Sequence, residues 1–230
     1  MVLGQNAYNV CMGKKIIFHG SDHVVESPSY GFEKAKSHND YGLGFYCTQE
    51  LDMAKEWANR STQNGFANKY SIDERGLKIL DLCDKSKYNV LNWIAILLHN
   101  RELSEDDRLD YEEELAFLER YYVPTDEYDV VIGYRADDAY FRFPLMFVRG
   151  VLTYAKLETI YALGDLGKQY ALVSEKAFRN LRFIDAIPAE PNFQERYWTR
   201  KDSADRSYRT LEREEKRSRG IRIRDLMEEK

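Results

Sequence analysis

Three short segments contain the side chains with which this sequence could do chemistry. His19-Gly20-Ser21 closes an apolar run, Asp40–Thr48 combines two glycines with aromatic residues, and Gln169–Leu172 opens a later apolar run. A glycine lets the backbone approach a ligand closely, and an aromatic ring offers a flat apolar surface for stacking. Taken singly, each segment is more often structural, as a satisfied core histidine or a tight turn entering an aromatic strand. Their order along the chain makes them candidates for one site.

Other kinds of site are not indicated by the sequence. The histidines other than His19 form no pair at metal-ligand spacing, so we predict no metal site. The 3 cysteines lie far apart and form no CxxC motif, which favours free thiols in a reducing cytoplasm over a disulfide framework. No phosphate-binding glycine loop, GxSxG motif or zinc-protease motif is present.

Strands must position the three segments. Short apolar runs predict strands at about 15–19, 44–48, 129–134, 169–173 and 182–187. Apolar residues at helical spacing predict a helix over about 49–60, directly after the second strand. Lys69–Ile72 and Leu77–Leu82 are predicted to form a strand pair joined by the turn at Asp73–Gly76.

Helices are predicted for the middle and the end of the chain. An apolar stripe through Leu91, Ile94 and Leu98 predicts a buried helix, and Ser104 begins a capping-box pattern for a second one. Together they form a helical insert over about 86–122, whose acidic run is most simply a solvated helix face. From 191 to 230 we predict a charged, amphipathic helical extension that docks on the body or on a partner.

The composition describes a folded domain and excludes several classes of protein. The chain has 230 residues, a net charge of −5, 43% hydrophobic and 32% charged residues, which excludes collagen-like and wholly disordered proteins. The acidic balance argues against a simple cationic clamp for nucleic acid. No apolar stretch approaches the roughly 20 residues of a membrane span, so we expect no membrane partner and a cytoplasmic protein.

In their order, the three segments resemble the ADP-ribosyltransferase fold of the diphtheria-toxin and poly(ADP-ribose) polymerase type. That group is described by a His–Tyr–Glu signature on three separated strands. His19-Gly20-Ser21 matches its first element, Tyr41–Tyr46 its glycine-rich second element, and Gln169–Val173 aligns with the third. The resemblance covers roughly residues 15 to 185. It implies an α+β fold, a split β-sandwich of two small packed sheets with surrounding helices, in a domain over residues 1–190.

A closer resemblance is to a bacterial family of such domains catalogued only as a domain of unknown function. Its pattern is matched by Asp40–Thr48, by Trp93 with Asn100-Arg101, and by Ala136-Asp137-Asp138.

The resemblance also implies a substrate and residue roles. NAD⁺ would be the substrate, split at the nicotinamide–ribose bond through an oxocarbenium-like state. His19 would bind a ribose hydroxyl on the adenosine side, Gly20 and Ser21 would hold the carboxamide, and Tyr46 would stack on nicotinamide. The implied cofactor-binding residues are His19, Gly20, Ser21, Tyr41 and Tyr46, and the implied catalytic residues are His19, Tyr46, Gln169 and Asp137.

The third element departs from the family pattern. The group places a Glu where this chain has Gln169, which can hydrogen-bond a ribose hydroxyl but supplies no negative charge. Two explanations stay open. In the first, the enzyme recruits negative charge from elsewhere, and Asp137 or Asp138 are the candidates, although they could instead only cap a helix. In the second, the domain has weakened catalysis and only binds NAD⁺ or ADP-ribose.

The function expected from the resemblance is NAD-dependent transfer of ADP-ribose, a glycosyltransferase reaction, to a macromolecular acceptor. Protein and nucleic acid are both open as acceptors. Domains of this kind occur in bacterial toxins, effectors and phage-defence systems, so the resemblance favours such a role, with a possible antitoxin or regulatory partner. The alternative is an NAD- or ADP-ribose-binding interaction module on the same fold.

Overall fold

A computed structural model gives the fold, and the α+β class is confirmed. The structure describes residues 13–31, 38–101, 112–135, 141–163, 167–215 and 218–228.

The described strands form one seven-stranded sheet. They are β1 (Lys14–Ser21), β2 (Phe45–Thr48), β3 (Phe66–Asp73), β4 (Ile79–Asp81), β5 (Val130–Tyr134), β6 (Lys168–Leu172) and β7 (Leu181–Pro188). Their order across the sheet is β4-β5-β6-β2-β1-β3-β7, and only β4 and β5 run parallel. The strand that carries His19 therefore lies beside the strand that carries Tyr46, which in turn lies beside the strand that carries Gln169.

The sheet consists of two halves that are joined at one point. β1 pairs with β3 along its whole length but with β2 only through Phe18 and Thr48. The halves are β4-β5-β6-β2 on one side and β1-β3-β7 on the other. Two separate packed sheets were expected, and the structure corrects this: a single register pair keeps the halves in one sheet.

The predicted strand pair around Asp73–Gly76 is wrong. Both strands are present as β3 and β4, but β3 pairs with β1 and β7, whereas β4 pairs with β5. The chain crosses from one half of the sheet to the other at this turn, so the turn residues do not close a hairpin.

The helices of the described part are α1 (Leu51–Ala58), α2 (Val90–Asn100), α3 (Glu112–Tyr121), α4 (Arg142–Val148), α5 (Tyr154–Leu163), α6 (Glu175–Arg179), α7 (Asn192–Glu215) and α8 (Ile223–Glu228). α2 begins at a capping box, in which Asn89 accepts from the Leu91 N–H and donates its own N–H to Asn92. The Ser104 pattern lies outside the described residues. None of the helices described combines the length and apolarity that a bilayer crossing requires.

Side-chain alternation along the strands builds two hydrophobic clusters, one on each face of the sheet. On β6, Ala171 packs into the larger cluster with the helices α2 to α5, whereas Tyr170 and Leu172 pack into the smaller cluster. The larger cluster is centred on fully buried side chains that include Trp93, Phe117 and Phe147.

The C-terminal helices dock on the body. Lys55 of α1 forms an ion pair with Glu190 at 2.7 Å, just before α7 begins, and Phe193 and Tyr197 of α7 are buried. Ile223 of α8 packs into the larger cluster. The predicted amphipathic C-terminal helix is thus present and covers the body of this chain.

Candidate functional site

His19 is a neutral, hydrogen-bonded histidine near the end of β1. Its ring stacks on Phe45 with 4.2 Å between centroids, and its Nδ1 lies 2.7 Å from the Tyr46 carbonyl oxygen. Burial lowers the pKa of His19 to about 4, helped by the nearby His23 and opposed by the bond to Tyr46. Because a carbonyl oxygen only accepts, Nδ1 carries the proton and donates it. Nε2 is therefore left as an acceptor at neutral pH.

Tyr46 uses its hydroxyl to fasten the glycine-rich turn. The hydroxyl donates to the Gly42 carbonyl at 2.6 Å and accepts from the Tyr41 N–H at 3.0 Å. Gly42 has φ +79°, a left-handed conformation that favours glycine and explains this position of the motif. Burial raises the pKa of Tyr46 well above its usual value, so the group stays neutral. The ring of Tyr46 packs against the larger cluster, on the opposite face of β2 from the Phe45 ring that stacks on His19.

Gly20 has a packing reason for being glycine. A Cβ placed on it would lie 2.1 Å from the Ala54 carbonyl oxygen and 2.8 Å from the Cβ of Trp57, both on α1. The residue predicted to bind a carboxamide through its backbone thus also allows β1 to lie against α1.

The strands β1 and β2 separate where the first two motifs meet. If their ladder continued past Phe18 and Thr48, Gly20 would lie opposite Tyr46, but that pair is not formed. Instead, the imidazole of His19 donates a hydrogen bond to the Tyr46 carbonyl oxygen. On its β2 side, the backbone of Gly20 is therefore left without a strand pair.

A cavity of about 520 Å³ lies beside His19 and Tyr46, a volume in the range of small-molecule sites. Its wall combines these two residues with three further aromatic rings and the loop that follows β1. The lining residues are His19, His23–Gly31, Asn39, Leu43–Tyr46 and Phe178. The aromatic lining suits a flat heterocycle.

Asn68 holds the loop that lines this cavity, a role that was not predicted from the sequence. Asn68 is fully buried on β3, donates to the Ser21 hydroxyl at 2.9 Å and accepts from the Val25 N–H at 2.9 Å. Ser21 in turn donates to the His23 carbonyl at 2.5 Å. Ser21, predicted to bind the carboxamide, therefore shapes the loop through its hydroxyl. Asn68 lies in phase with Tyr70 and Ile72, and a polar residue on the apolar face of the strand was the signal available in the sequence.

Tyr41 is a core residue, which differs from the cofactor contact that the sequence predicts. Its side chain is 1% exposed, and its hydroxyl donates to the Tyr134 carbonyl and accepts from the Trp93 indole N–H, both at 2.7 Å. Burial raises the pKa of Tyr41 well above its usual value.

Gln169 lies opposite Thr48 on the strand next to β2, two positions from the partner of Tyr46. Residues two apart share a face, so Gln169 and Tyr46 are on the same face of the sheet. Gln169 is 4% exposed and lies outside the described wall of the cavity. Its amide nitrogen donates to Asp40 Oδ2 at 2.7 Å and to the Tyr134 carbonyl at 3.4 Å.

Asp40 joins the scattered motifs into one polar network. It is 5% exposed, and its Oδ1 accepts from Arg101 Nη2 at 2.6 Å and from Nε at 2.8 Å. Asn100 donates to the Asp40 backbone carbonyl at 3.4 Å. The motif segments around Asp40, Trp93, Arg101 and Gln169 thus meet in space. Asp40 belongs to a sequence motif, but nothing in the sequence marks it as a charge beside Gln169.

The comparison with protein families agrees with this convergence. A family model described as "Protein of unknown function (DUF3990)" matches residues 15–183. The chain belongs to the DUF3990 family. The expectation of a family catalogued only as a domain of unknown function is confirmed, while the wider resemblance to ADP-ribosyltransferases stays a prediction. The curated proteins and the solved structures gave no match.

The family region contains every residue of the candidate site, from His19 to Gln169, whereas α7 and α8 lie beyond it. Asp137 and Asp138 fall outside the residues that the structure describes. Arg135, at the end of the described segment before them, places its guanidinium 5.0 Å from the ring centre of Trp57. This contact links the end of β5 to α1, the helix that packs on Gly20.

Among the described residues, no group of three or more His, Cys, Asp or Glu side chains could hold a metal ion. Cys47 and Cys83 carry free thiols, and burial raises the pKa of both.

Proposed function

We propose that the protein binds NAD⁺ and transfers its ADP-ribose to a macromolecular acceptor, either protein or nucleic acid. The observation that carries the proposal is the strand order β1-β2-β6. It brings the His19, Tyr46 and Gln169 motifs to three neighbouring strands, aligned by the pairs Phe18–Thr48 and Thr48–Gln169.

The reaction breaks the bond between the ribose C1′ and the nicotinamide nitrogen. The bonding electron pair leaves with nicotinamide, which becomes neutral, and positive charge develops on the ribose. An acceptor atom then bonds to C1′ and releases its proton. A site for this reaction needs a hold on nicotinamide, acceptors for ribose hydroxyls, and groups that stabilise the developing charge.

The residues of this chain fit the first two needs. The Nε2 acceptor of His19 suits a ribose hydroxyl. The Gly20 backbone, which is not paired with β2, suits a carboxamide, and we expect the ring of Tyr46, a residue of the cavity wall, to stack on nicotinamide. The aromatic cavity beside them has room for the heterocyclic part of the dinucleotide.

The first experiment measures transfer of labelled ADP-ribose from NAD⁺ to candidate acceptors. Tyr46→Ala removes the ring, and its matched control Tyr46→Phe keeps the ring but loses the bonds to Gly42 and Tyr41. We expect Tyr46→Ala to lose about tenfold or more of the NAD⁺ affinity and most transfer, whereas Tyr46→Phe stays closer to the wild type. Wild-type protein that neither melts at a higher temperature with NAD⁺ nor transfers label would refute the proposal.

A second candidate function is an NAD⁺- or ADP-ribose-binding module without turnover. One observation favours it: position 169 carries an uncharged amide, and the nearest carboxylate, Asp40, is paired with Arg101. Binding of NAD⁺ without release of nicotinamide would support the module over the enzyme.

We propose a cytoplasmic setting because the thiols of Cys47 and Cys83 are free. We further propose a role as a bacterial toxin, effector or phage-defence component, with an antitoxin or another regulatory protein as partner. Co-expression of the protein with its neighbouring gene product, followed by measurement of growth and NAD⁺ level, tests this proposal.

A further inference from the structure

The amide of Gln169 has a fixed orientation. Its nitrogen donates to a carboxylate oxygen of Asp40 and to the Tyr134 carbonyl, and both of these groups only accept. The reversed orientation would place the amide oxygen against two other oxygens. Gln169 Oε1 is therefore turned away from Asp40 and is left as an acceptor.

We propose that Asp40 supplies the negative charge that Gln169 lacks and acts through the Gln169 amide as a positioning residue. This inference rests on the proposed NAD⁺ chemistry. The ribose hydroxyl would donate to Gln169 Oε1, and the hydrogen bond from Gln169 to Asp40 would polarise that oxygen.

The charge acts at longer range than a direct carboxylate. One amide group separates the Asp40 carboxylate from the ribose hydroxyl. Because Coulomb energy falls as 1/r, its attraction to the developing positive charge is about half that of a carboxylate that binds the hydroxyl directly. Both side chains are buried, which limits screening by solvent. Arg101 opposes the charge and donates to Oδ1, whereas Gln169 donates to Oδ2.

This arrangement also explains why position 169 is not Glu in this chain. A second carboxylate at the 2.7 Å contact with Asp40 would face a like charge, and one of the two would then hold a proton. Asp40 and position 169 are therefore alternative places for one negative charge. Moving the charge from one position to the other should preserve the chemistry.

The test is a charge swap measured by the release of nicotinamide from NAD⁺, with water as the acceptor. In this reaction the C1′–N bond breaks, the water oxygen bonds to C1′, and one proton is released. We compare the wild type, Asp40→Asn, Gln169→Glu and the double variant Asp40→Asn/Gln169→Glu. Asp126→Asn, an exposed aspartate, is the matched control.

We expect Asp40→Asn to lower kcat about tenfold or more with KM changed less than about threefold, and the double variant to return kcat to near the wild-type value. Gln169→Glu alone should add a titration step to the pH profile of kcat that the wild type lacks. A kcat for Asp40→Asn within about twofold of wild type would overturn the inference, as would a double variant no more active than Asp40→Asn.

Loss of folding is checked by the thermal unfolding of each variant. If Asp40→Asn does not fold, the pH profile of Gln169→Glu decides, because an unchanged profile contradicts a shared charge. The two proposals fail differently. A wild type that releases no nicotinamide and shows no NAD⁺-dependent stabilisation overturns the proposed function. An active wild type with an equally active Asp40→Asn overturns this inference alone.

Discussion

The stability of the protein should fall between pH 7.5 and pH 5 because of His19. The pKa of His19 is about 4 in the fold and about 6.5 in an unfolded chain. In this window the unfolded chain binds a proton at this position and the folded protein does not, so acidification favours unfolding. This loss of stability vanishes well above pH 6.5 and grows as the pH falls toward 4.

The size of the effect follows from the two pKa values. At pH 5 the unfolded histidine is almost fully protonated and the folded one is about one-tenth protonated, which costs about 2 kcal/mol of unfolding free energy relative to pH 7.5. For a chain of 230 residues this corresponds to a drop in melting temperature of roughly 4–8 °C.

Urea unfolding at pH 7.5 and pH 5.0 measures the effect. His19→Gln cannot titrate but keeps an N–H to donate to the Tyr46 carbonyl, so its loss of stability over this range should be smaller by about 2 kcal/mol. His38→Gln, at an exposed histidine, is the control and should behave as the wild type. If the wild type and His19→Gln lose the same free energy to within about 0.5 kcal/mol, the neutral state of His19 in the fold is refuted.

Three further variants test the site's architecture. Gly20→Ala should lower the unfolding free energy by about 1–3 kcal/mol or more through the clash with α1. In its control, Gly220→Ala, the new Cβ meets only the Thr153 side chain, at 3.1 Å and beyond, so the same urea measurement should change by less than about 1 kcal/mol. Tyr41→Phe removes two buried hydrogen bonds and should lower the unfolding free energy by about 1–2 kcal/mol, measured by thermal unfolding. Its NAD⁺ affinity by calorimetry should stay within about twofold of the wild type. A large loss of affinity would instead place Tyr41 in the binding site. Asn68→Ala removes the hydrogen bonds that hold the loop after β1, so we expect faster proteolysis within residues 22–31 and little change at α7. An equal increase in cleavage at both places would contradict this prediction.

The local elements were predictable because their signals are local. The apolar runs at β1, β2, β5 and β6 predict strands at nearly the observed positions, and the turn before β2 follows from its glycines. Which strands become neighbours depends on contacts between distant parts of the chain. The pattern at Asp73–Gly76 is typical of a hairpin, but the two strands it joins find partners in different halves of the sheet.

The roles of individual site residues were less predictable, for the same reason. Gly20 and Tyr41 each belong to a motif, but a motif does not reveal whether a residue packs against the protein or against a ligand. Gly20 packs against the α1 backbone, and Tyr41 bonds to the Trp93 indole. Asp40 and Gln169 are separated by 129 residues, so no spacing rule connects them. The register of β2 and β6 places Thr48 opposite Gln169, and the turn before β2, which the Tyr46 hydroxyl holds, folds Asp40 back onto the Gln169 amide.

The order of strands across the sheet fixes when the site can form during synthesis. β1 and β2 are made early, yet β2 has its main pairing with β6, which begins at residue 168, and the half with β1 is closed by β7, which ends at residue 188. At about 5–20 residues per second, a ribosome needs roughly 10–40 s to reach that point. Until then the chain carries the histidine and the tyrosine without the strand that bears Gln169. The candidate site should therefore assemble only after most of the chain has been translated.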